Sequence, residues 1–310
     1  MANNYFDLLT LGRIMDNNPD YLRDTFRRAV FTSTYCTESA EPVRHGDYYV
    51  TDFVIPDSMR SFEKNLTNPT TKEQLVKYGW ANEDGTIAKP ITYKINDEGF
   101  RSPKFTHGDR PIVCFGCSYT YGVGLPEDFT WPYLVSKHYD IPVYNLGLPG
   151  NGLDMISVYT AKWLADEIWR PRAFCILLPP PGRMEILQPA SVDMPPPVLH
   201  SIKNLLHLIT EEKPSKLSEQ LINAIPMTSY LNQLKNLELI KLKGQSMGIP
   251  VVWGDSQNCV PPPSPEDTEI HYARDLAHHG LQWQTAVADY MIKKLDTIPQ
   301  NNGKDWHAYS

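Results

Sequence analysis

From residue 111 onward, short apolar runs alternate with longer helical segments, and this alternation most constrains the fold. The apolar runs of strand length are Ile112–Phe115, Val143–Asn145, Ala173–Leu178 and Pro250–Trp253. The helical segments are Trp131–Tyr139, Leu153–Trp169, Tyr230–Met247 and Leu281–Leu295. Short buried strands that alternate with helices are typical of a parallel sheet covered by helices. The sequence therefore predicts an α/β fold.

The first apolar run ends abruptly in Gly116-Cys117-Ser118. A turn of small residues after a buried strand places the serine at the rim of the sheet, where sites of open α/β folds lie. Gly122 and Gly124 follow, and they permit backbone conformations closed to other residues. This placement suits a nucleophile, which needs an exposed hydroxyl on a fixed backbone. Taken alone, however, the pattern favours an ordinary turn serine.

A second group of polar residues precedes the last helical segment. Asp275 and His278 lie three residues apart in Tyr272-Ala-Arg-Asp-Leu-Ala-His-His-Gly280. In a turn that leads into a helix, this spacing can set a carboxylate against one imidazole nitrogen and leave the other free to take a proton from a serine. The simpler interpretation is that Asp275 is a helix cap and that His278 is a solvated surface group.

Together these segments resemble the SGNH (GDSL-like) hydrolase family. The family carries its nucleophilic serine after the first strand and an Asp-x-x-His block before the last helix, as Ser118, Asp275 and His278 would here. Val143-Tyr-Asn-Leu-Gly-Leu-Pro-Gly-Asn151 resembles its second block. The resemblance implies a three-layer, flavodoxin-like parallel sheet, and an oxyanion hole formed by the backbone N–H groups of Ser118 and Gly150.

The sequence departs from the family at the third block, where the family has Gly-x-Asn-Asp and the Asn donates to the oxyanion. Here the strand Ala173–Leu178 runs into Pro179-Pro-Pro-Gly-Arg-Met-Glu185, which contains no Asn. Loss of one oxyanion donor typically lowers the rate about 10²- to 10³-fold. Arg183 and Asn151 are the candidate substitutes, and we favour Arg183 because it follows the strand end where the Asn is missing.

A literal Gly-Asp-Ser occurs elsewhere, at Gly254-Asp255-Ser256. No glycine turn of the second-block type follows it, and in the family order its strand is the one that precedes the Asp-x-x-His loop. We therefore interpret Ser256 as a turn residue beside the site.

Two functions of different classes are consistent with these residues. The first is a serine hydrolase that cleaves an acyl ester through Ser118, His278 and Asp275, with a carbohydrate or another small alcohol as the substrate class that the resemblance implies. Transfer of the acyl group to an alcohol remains open within this class. The second is a catalytically weak SGNH-like module that binds glycan or has a structural role in an assembly, as the missing third-block Asn suggests.

Residues 1–105 differ in pattern from the rest and are expected to form an N-terminal extension that packs on a main domain of residues 106–310. The net charge is −7 and no basic block occurs, which argues against a nucleic-acid partner. No apolar run reaches the length of a membrane span, and the first residues do not resemble a secretory signal, so we expect a cytoplasmic protein. The five cysteines do not show the spacing of a metal site, and no cofactor is expected.

Overall fold

A parallel four-stranded sheet forms the centre of the part of the chain that the computed structural model describes. The described residues are 43–54, 57–106, 108–150, 152–154, 156–157, 160, 170–180, 185–186, 200–201, 216–255 and 271–298. The strands are β1 Val43–His45, β2 Tyr48–Thr51, β3 Tyr93–Ile95, β4 Ile112–Gly116, β5 Val143–Gly147, β6 Ala173–Leu178, β7 Glu185–Ile186, β8 His200–Ser201 and β9 Val251–Asp255. The helices are α1 Met59–Thr67, α2 Pro69–Lys77, α3 Ser118–Tyr121, α4 Trp131–Tyr139, α5 Lys216–Ser246 and α6 Leu281–Asp296, with a 3₁₀ turn at Glu127–Phe129.

The central sheet has the strand order β5-β4-β6-β9, and all its neighbours pair in parallel. In chain order this is second, first, third, fourth, which is the order of flavodoxin-like sheets. Gly116 at the end of β4 lies beside Gly147 at the end of β5. The predicted parallel α/β sheet is thereby confirmed. Its strands and the helices α4 and α6 start and end within a few residues of the predicted bounds, whereas α5 begins fourteen residues before Tyr230. Most of the helix predicted at Leu153–Trp169 lies outside the described residues.

Alternate residues of the central strands face two separate apolar layers. One layer joins Val113 and Phe115 of β4 to α5 and to the helical residues that begin at Leu153. The other joins Ile112 and Cys114 of the same strand to α4 and α6. Strand side chains point alternately to opposite faces, so a strand that is apolar throughout must be covered on both sides. The result is the predicted three-layer arrangement.

The segment that precedes β4 forms a small antiparallel sheet, β1-β2-β3, and two short helices. Helix α1 begins after Ser58, whose side chain accepts the N–H of Ser61, and α2 begins after Asn68, whose side chain accepts the N–H of Thr70. These are the hydrogen bonds that N-cap residues ordinarily make. The sequence from Thr70 to Tyr78 is typical of a helix, and α2 confirms this prediction, whereas the sequence does not predict α1. The sequence also predicts a helix at residues 20–31, which lie outside the described residues.

Apolar side chains of this N-terminal segment are buried against residues of the main sheet's loops. Their cluster contains Trp80, Ile91, Tyr93 and Ile95 from the segment, and Tyr121, Val123, Leu125 and Ala273 from the loops that follow β4 and precede α6. Trp80 Nε1 also donates to the carbonyl oxygen of Tyr272 at 2.9 Å. The segment therefore shares its apolar core with two loops of the main sheet.

None of the helices in the described ranges combines the length and the apolar character that crossing a membrane requires.

Gly147 is a position where any side chain would collide with α3. A Cβ atom built there lies 2.8 Å from the carbonyl carbon of Thr120 and 2.8 Å from the Cβ of Thr120. We predict that Gly147→Ala lowers the free energy of unfolding by about 1–3 kcal/mol, as overpacking does, and displaces α3.

Gly248→Ala is the matched control. Gly248 has a φ of +69° and nothing within 4 Å of a built Cβ, so it carries only the backbone strain, about 1–2 kcal/mol. Urea denaturation of both variants, with near-ultraviolet circular dichroism of the native states, tests the prediction. An undisturbed aromatic spectrum in Gly147→Ala would contradict it.

Candidate active site

Ser118 is placed by the end of β4. The strand is buried along its whole length, Cys117 takes the cap position in extended conformation, and Ser118 is the first residue of α3. Its backbone N–H consequently has no acceptor within the helix. The next strand segment lies alongside, because the Leu148 N–H donates to the carbonyl oxygen of Gly116 at 3.1 Å. Ser118 thus sits at the carboxyl edge of the sheet, as its sequence predicts.

Helix α3 is fixed by hydrogen bonds from buried polar side chains. Asn145 of β5 donates through Nδ2 to the carbonyl oxygen of Thr120 at 2.8 Å. Gln284 of α6 donates through Nε2 to the carbonyl oxygen of Tyr119 at 3.1 Å and accepts the N–H of Trp131 at 2.9 Å. These contacts come from two different layers, so the backbone that carries Ser118 is held on both sides.

Arg101 holds the other end of α3, and sequence reasoning missed it. Its guanidinium donates to the carbonyl oxygens of Tyr121 at 3.2 Å, Gly122 at 2.7 Å and Leu125 at 2.8 Å. Cations are favourable at helix C-termini, where carbonyl groups lack intrahelical donors. Arg101 is 1% exposed and packs over the ring of Tyr93 at 4.5 Å. In the sequence Arg101 closely follows Asp97 and Glu98 of a polar turn, so no signal distinguished it from a surface charge.

Asp275 and His278 share a tight turn. Asp275 Oδ1 accepts the backbone N–H groups of Ala277 at 3.2 Å and His278 at 3.1 Å. Leu276 between them adopts a φ of +54°, a conformation uncommon for a residue with a side chain. The Ala273 N–H closes the turn on the carbonyl oxygen of His278 at 2.8 Å. The second carboxylate oxygen of Asp275 is thereby aimed at the imidazole.

The structure brings Ser118, His278 and Asp275 together. His278 Nε2 lies 2.7 Å from Ser118 Oγ, and His278 Nδ1 lies 2.5 Å from Asp275 Oδ2. All three side chains belong to residues that are at most 9% exposed. This is the order of contacts in which one imidazole nitrogen can accept the serine proton while the other is oriented by a carboxylate.

Aromatic side chains lie beside the imidazole of His278. The ring of Tyr119 contacts that of His278 edge-on at 5.0 Å. The ring of His279 stacks against those of Tyr119 at 5.8 Å and Trp283 at 5.2 Å, which are themselves 5.0 Å apart. Burial lowers the pKa of His279, and the neighbouring His278 lowers it further. Trp131, which also flanks the serine turn in sequence, is fully buried and belongs to the core.

The remaining residues predicted for the site are placed incompletely. Gly150 has a φ of +84° and is exposed, two residues beyond Leu148. Asn151, Arg183 and Ser256 lie outside the described residues. After β6 the described chain continues only as Pro179 and Pro180, neither of which has a side-chain donor. In the part of the chain that the structure describes, no group of three or more His, Cys, Asp or Glu residues could hold a metal ion.

His279 provides a prediction about pH. Since its pKa is lowered in the folded protein, the unfolded chain binds the proton more readily once the pH falls below the ordinary value of about 6.5, and stability is lost on acidification. His279→Phe keeps a ring in the stack and removes this titration. We expect the loss of stability between about pH 7.5 and pH 5 to be smaller in the variant. Melting temperatures measured across that range test the prediction. If they fall equally with pH in the wild type and in His279→Phe, His279 is not the group responsible.

Comparisons with known proteins give similarity to solved structures only. No protein-family model matches the sequence, and no curated protein matches it. A putative lipolytic protein of the G-D-S-L family from Desulfitobacterium hafniense is 15% identical, with 59% of this chain and 97% of that chain covered and a TM-score of 0.28. A member of the lipolytic G-D-S-L family from Veillonella parvula is 14% identical, with 61% and 99% covered and a TM-score of 0.31.

A carbohydrate esterase family 2 enzyme with a carbohydrate binding domain, from Corynascus thermopiles (Myceliophthora fergusii), is 13% identical, with 68% and 71% covered and a TM-score of 0.33. At these identities and scores, similarity identifies neither the activity nor the substrate of this chain.

Proposed function

We propose that the chain is a serine hydrolase that cleaves an acyl ester of a carbohydrate or another small alcohol. The observation that carries the proposal is the continuous pair of short contacts from Ser118 Oγ through His278 to Asp275. The serine and the histidine are 160 residues apart in sequence, so no local packing rule accounts for their meeting. A buried serine, imidazole and carboxylate in this order suit acyl transfer more than any other reaction.

In the proposed reaction Ser118 Oγ attacks the carbonyl carbon of the ester, and His278 Nε2 takes the serine proton. The tetrahedral oxyanion then collapses, the alcohol leaves with the proton from His278, and the acyl group stays on Ser118. Water, activated by His278, releases the acid and regenerates the serine. Asp275 orients the imidazole and stabilises its charged form throughout.

The oxyanion requires hydrogen-bond donors near Ser118 Oγ. We assign two of them to the backbone N–H groups of Ser118 and Gly150, in line with the resemblance. Ser118 begins α3, and the bond from the Leu148 N–H to Gly116 holds the segment that leads to Gly150 beside it. Arg183 or Asn151 is proposed as the third donor.

The second candidate, a weakly active module that binds glycan, has one observation in its favour. Pro179 and Pro180 directly follow β6, in the segment where the family has its Asn donor. Labelling by a fluorophosphonate discriminates between the two, because the probe reacts only with a serine that a neighbouring base activates.

We predict that Ser118→Ala abolishes both fluorophosphonate labelling and hydrolysis of p-nitrophenyl acetate, with a loss on the order of 10⁶ in turnover if the residual rate can be followed that far. Ser256→Ala is the matched control, since Ser256 ends the one Gly-Asp-Ser of the sequence and is interpreted as a bystander. Equal labelling of wild type and Ser118→Ala would refute the hydrolase and favour the binding module.

Asp275→Asn retains the shape of the turn but presents an amide to the imidazole, which disfavours the productive tautomer and no longer stabilises the imidazolium. We expect kcat to fall about 10⁴-fold. Steady-state kinetics on a short acyl ester, with circular dichroism to verify the fold, measure the effect. A decrease of less than tenfold would show that Asp275 does not orient His278.

A further inference from the structure

Asp57 lies in the N-terminal segment, far in sequence from Ser118, His278 and Asp275, yet it contacts the turn that carries Asp275 and His278, and Tyr93 links it to the loop that follows Ser118. Its carboxylate is buried, with 1% of the side chain exposed. We propose that Asp57 is a positioning residue that holds the acid–base turn and the nucleophile turn in register, through Arg274 on one side and Tyr93 on the other. This inference rests on the proposed function.

The first connection runs from Asp57 to the acid–base turn. Arg274 Nε donates to Asp57 Oδ1 at 3.0 Å, and Arg274 Nη2 donates to Asp57 Oδ2 at 2.6 Å. This two-point geometry fixes the plane and the direction of the guanidinium as well as its distance. Arg274 directly precedes Asp275, so the backbone of the carboxylate that contacts His278 is anchored one residue away.

Other groups of the same N-terminal segment complete the anchor of Arg274. Nη2 also donates to the carbonyl oxygen of Asp52 at 2.7 Å, and the guanidinium lies 4.4 Å from the ring centre of Phe53. Arg274 is 1% exposed. The carboxylate, the carbonyl oxygen and the ring that hold the guanidinium thus all belong to the N-terminal segment.

The second connection runs from Asp57 to the nucleophile turn. Tyr93 donates its hydroxyl proton to Asp57 Oδ2 at 2.6 Å, and its oxygen accepts the N–H of Gly124 at 2.9 Å. Gly124 belongs to the loop that follows α3, and its carbonyl oxygen accepts the Arg274 N–H at 3.0 Å. A closed circuit of hydrogen bonds thus joins Asp57, Tyr93, Gly124 and Arg274.

The charges in this circuit are consistent with a positioning role. Burial raises the pKa of Asp57, whereas the hydrogen bonds from Arg274 and Tyr93 and the positive charge of Arg274 oppose the rise. The negative charge of the nearby Asp275 carboxylate raises the pKa of Asp57 further, so the two carboxylates repel each other. Arg274 therefore compensates Asp57 and separates it from Asp275, whose carboxylate contacts His278.

Displacement of a reacting group by about 1 Å can lower a rate about 10²-fold. Loosening the circuit should therefore reduce kcat while leaving the ester-binding surface, and hence KM, nearly unchanged. A residue that only stabilises the fold would lower the melting temperature without this selective change.

Tyr93→Phe is the mildest test because it removes one oxygen atom and keeps the ring. Tyr144→Phe is its matched control: the Tyr144 hydroxyl donates to Asp109 Oδ2 at 2.8 Å and accepts the Thr106 N–H at 2.9 Å, the same pattern at the opposite end of the sheet. With p-nitrophenyl acetate we expect similar falls in melting temperature for both, but a decrease in kcat of tenfold or more, at constant KM, only in Tyr93→Phe. Equal kcat in the two folded variants would overturn the proposal.

A second readout does not depend on turnover. The proton shared by His278 Nδ1 and Asp275 should give a far-downfield ¹H resonance, which Asp275→Asn identifies by abolishing it. We expect Asp57→Asn and Arg274→Lys to shift or broaden this resonance, and Tyr144→Phe to leave it in place. An unchanged resonance in both Asp57→Asn and Arg274→Lys would overturn the positioning role.

The two readouts separate the possible failures. A wild-type protein that shows the resonance but neither labels at Ser118 nor hydrolyses esters would refute the proposed function, and the resonance in the variants would still decide the role of Asp57. A wild-type protein without the resonance would overturn both, since both rest on the contact between His278 and Asp275.

Discussion

Parallel pairing in register is the constraint on which the candidate site depends. Because β4 and β5 run in the same direction and end side by side at Gly116 and Gly147, the loops that follow them emerge at one edge of the sheet. A side chain at either position would occupy the space in which α3 folds back over the strand ends, and glycine leaves that space open. A β4 with the same apolar content but a larger residue at its end would have to carry Ser118 away from His278.

Buried arginines connect separate parts of the described structure, in which Cys114, Cys117 and Cys175 are free. An isolated charge is expensive to bury, so each guanidinium must find acceptors wherever it is enclosed. Arg101 finds them in carbonyl groups at the end of α3, and Arg274 finds them in a carboxylate and a carbonyl of the N-terminal segment. Removing Asp57 would leave Arg274 as an uncompensated buried charge, which typically costs about 3–5 kcal/mol.

The sequence predicts those features of the fold that depend on residues close together in the chain. An apolar run that stops at small residues marks β4 and the turn of Ser118, and the three-residue spacing of Asp275 and His278 makes their contact feasible. The pairing of Asp57 with Arg274 could not be predicted in this way, because 217 residues separate them and each looks like an ordinary surface charge. The same holds for the left-handed backbone of Leu276, which the closure of its turn imposes on a residue with no local preference for it. The early start of α5 escaped prediction as well, because Pro226 stands between its first turns and Tyr230, and a proline ordinarily interrupts a helix.

The contacts that define the candidate site also span unusually long stretches of chain. Ser118 and His278 are 160 residues apart, Trp80 and Tyr272 are 192 apart, and Asp57 and Arg274 are 217 apart. Closing such loops costs conformational entropy before the contacts that stabilise them have formed, and chains dominated by distant contacts therefore fold slowly. During refolding, the central sheet can therefore form, and give its native circular dichroism signal, before the turn of Asp275 and His278 packs beside Ser118. Recovery of chemical competence should lag behind recovery of secondary structure, with the N-terminal segment docking late.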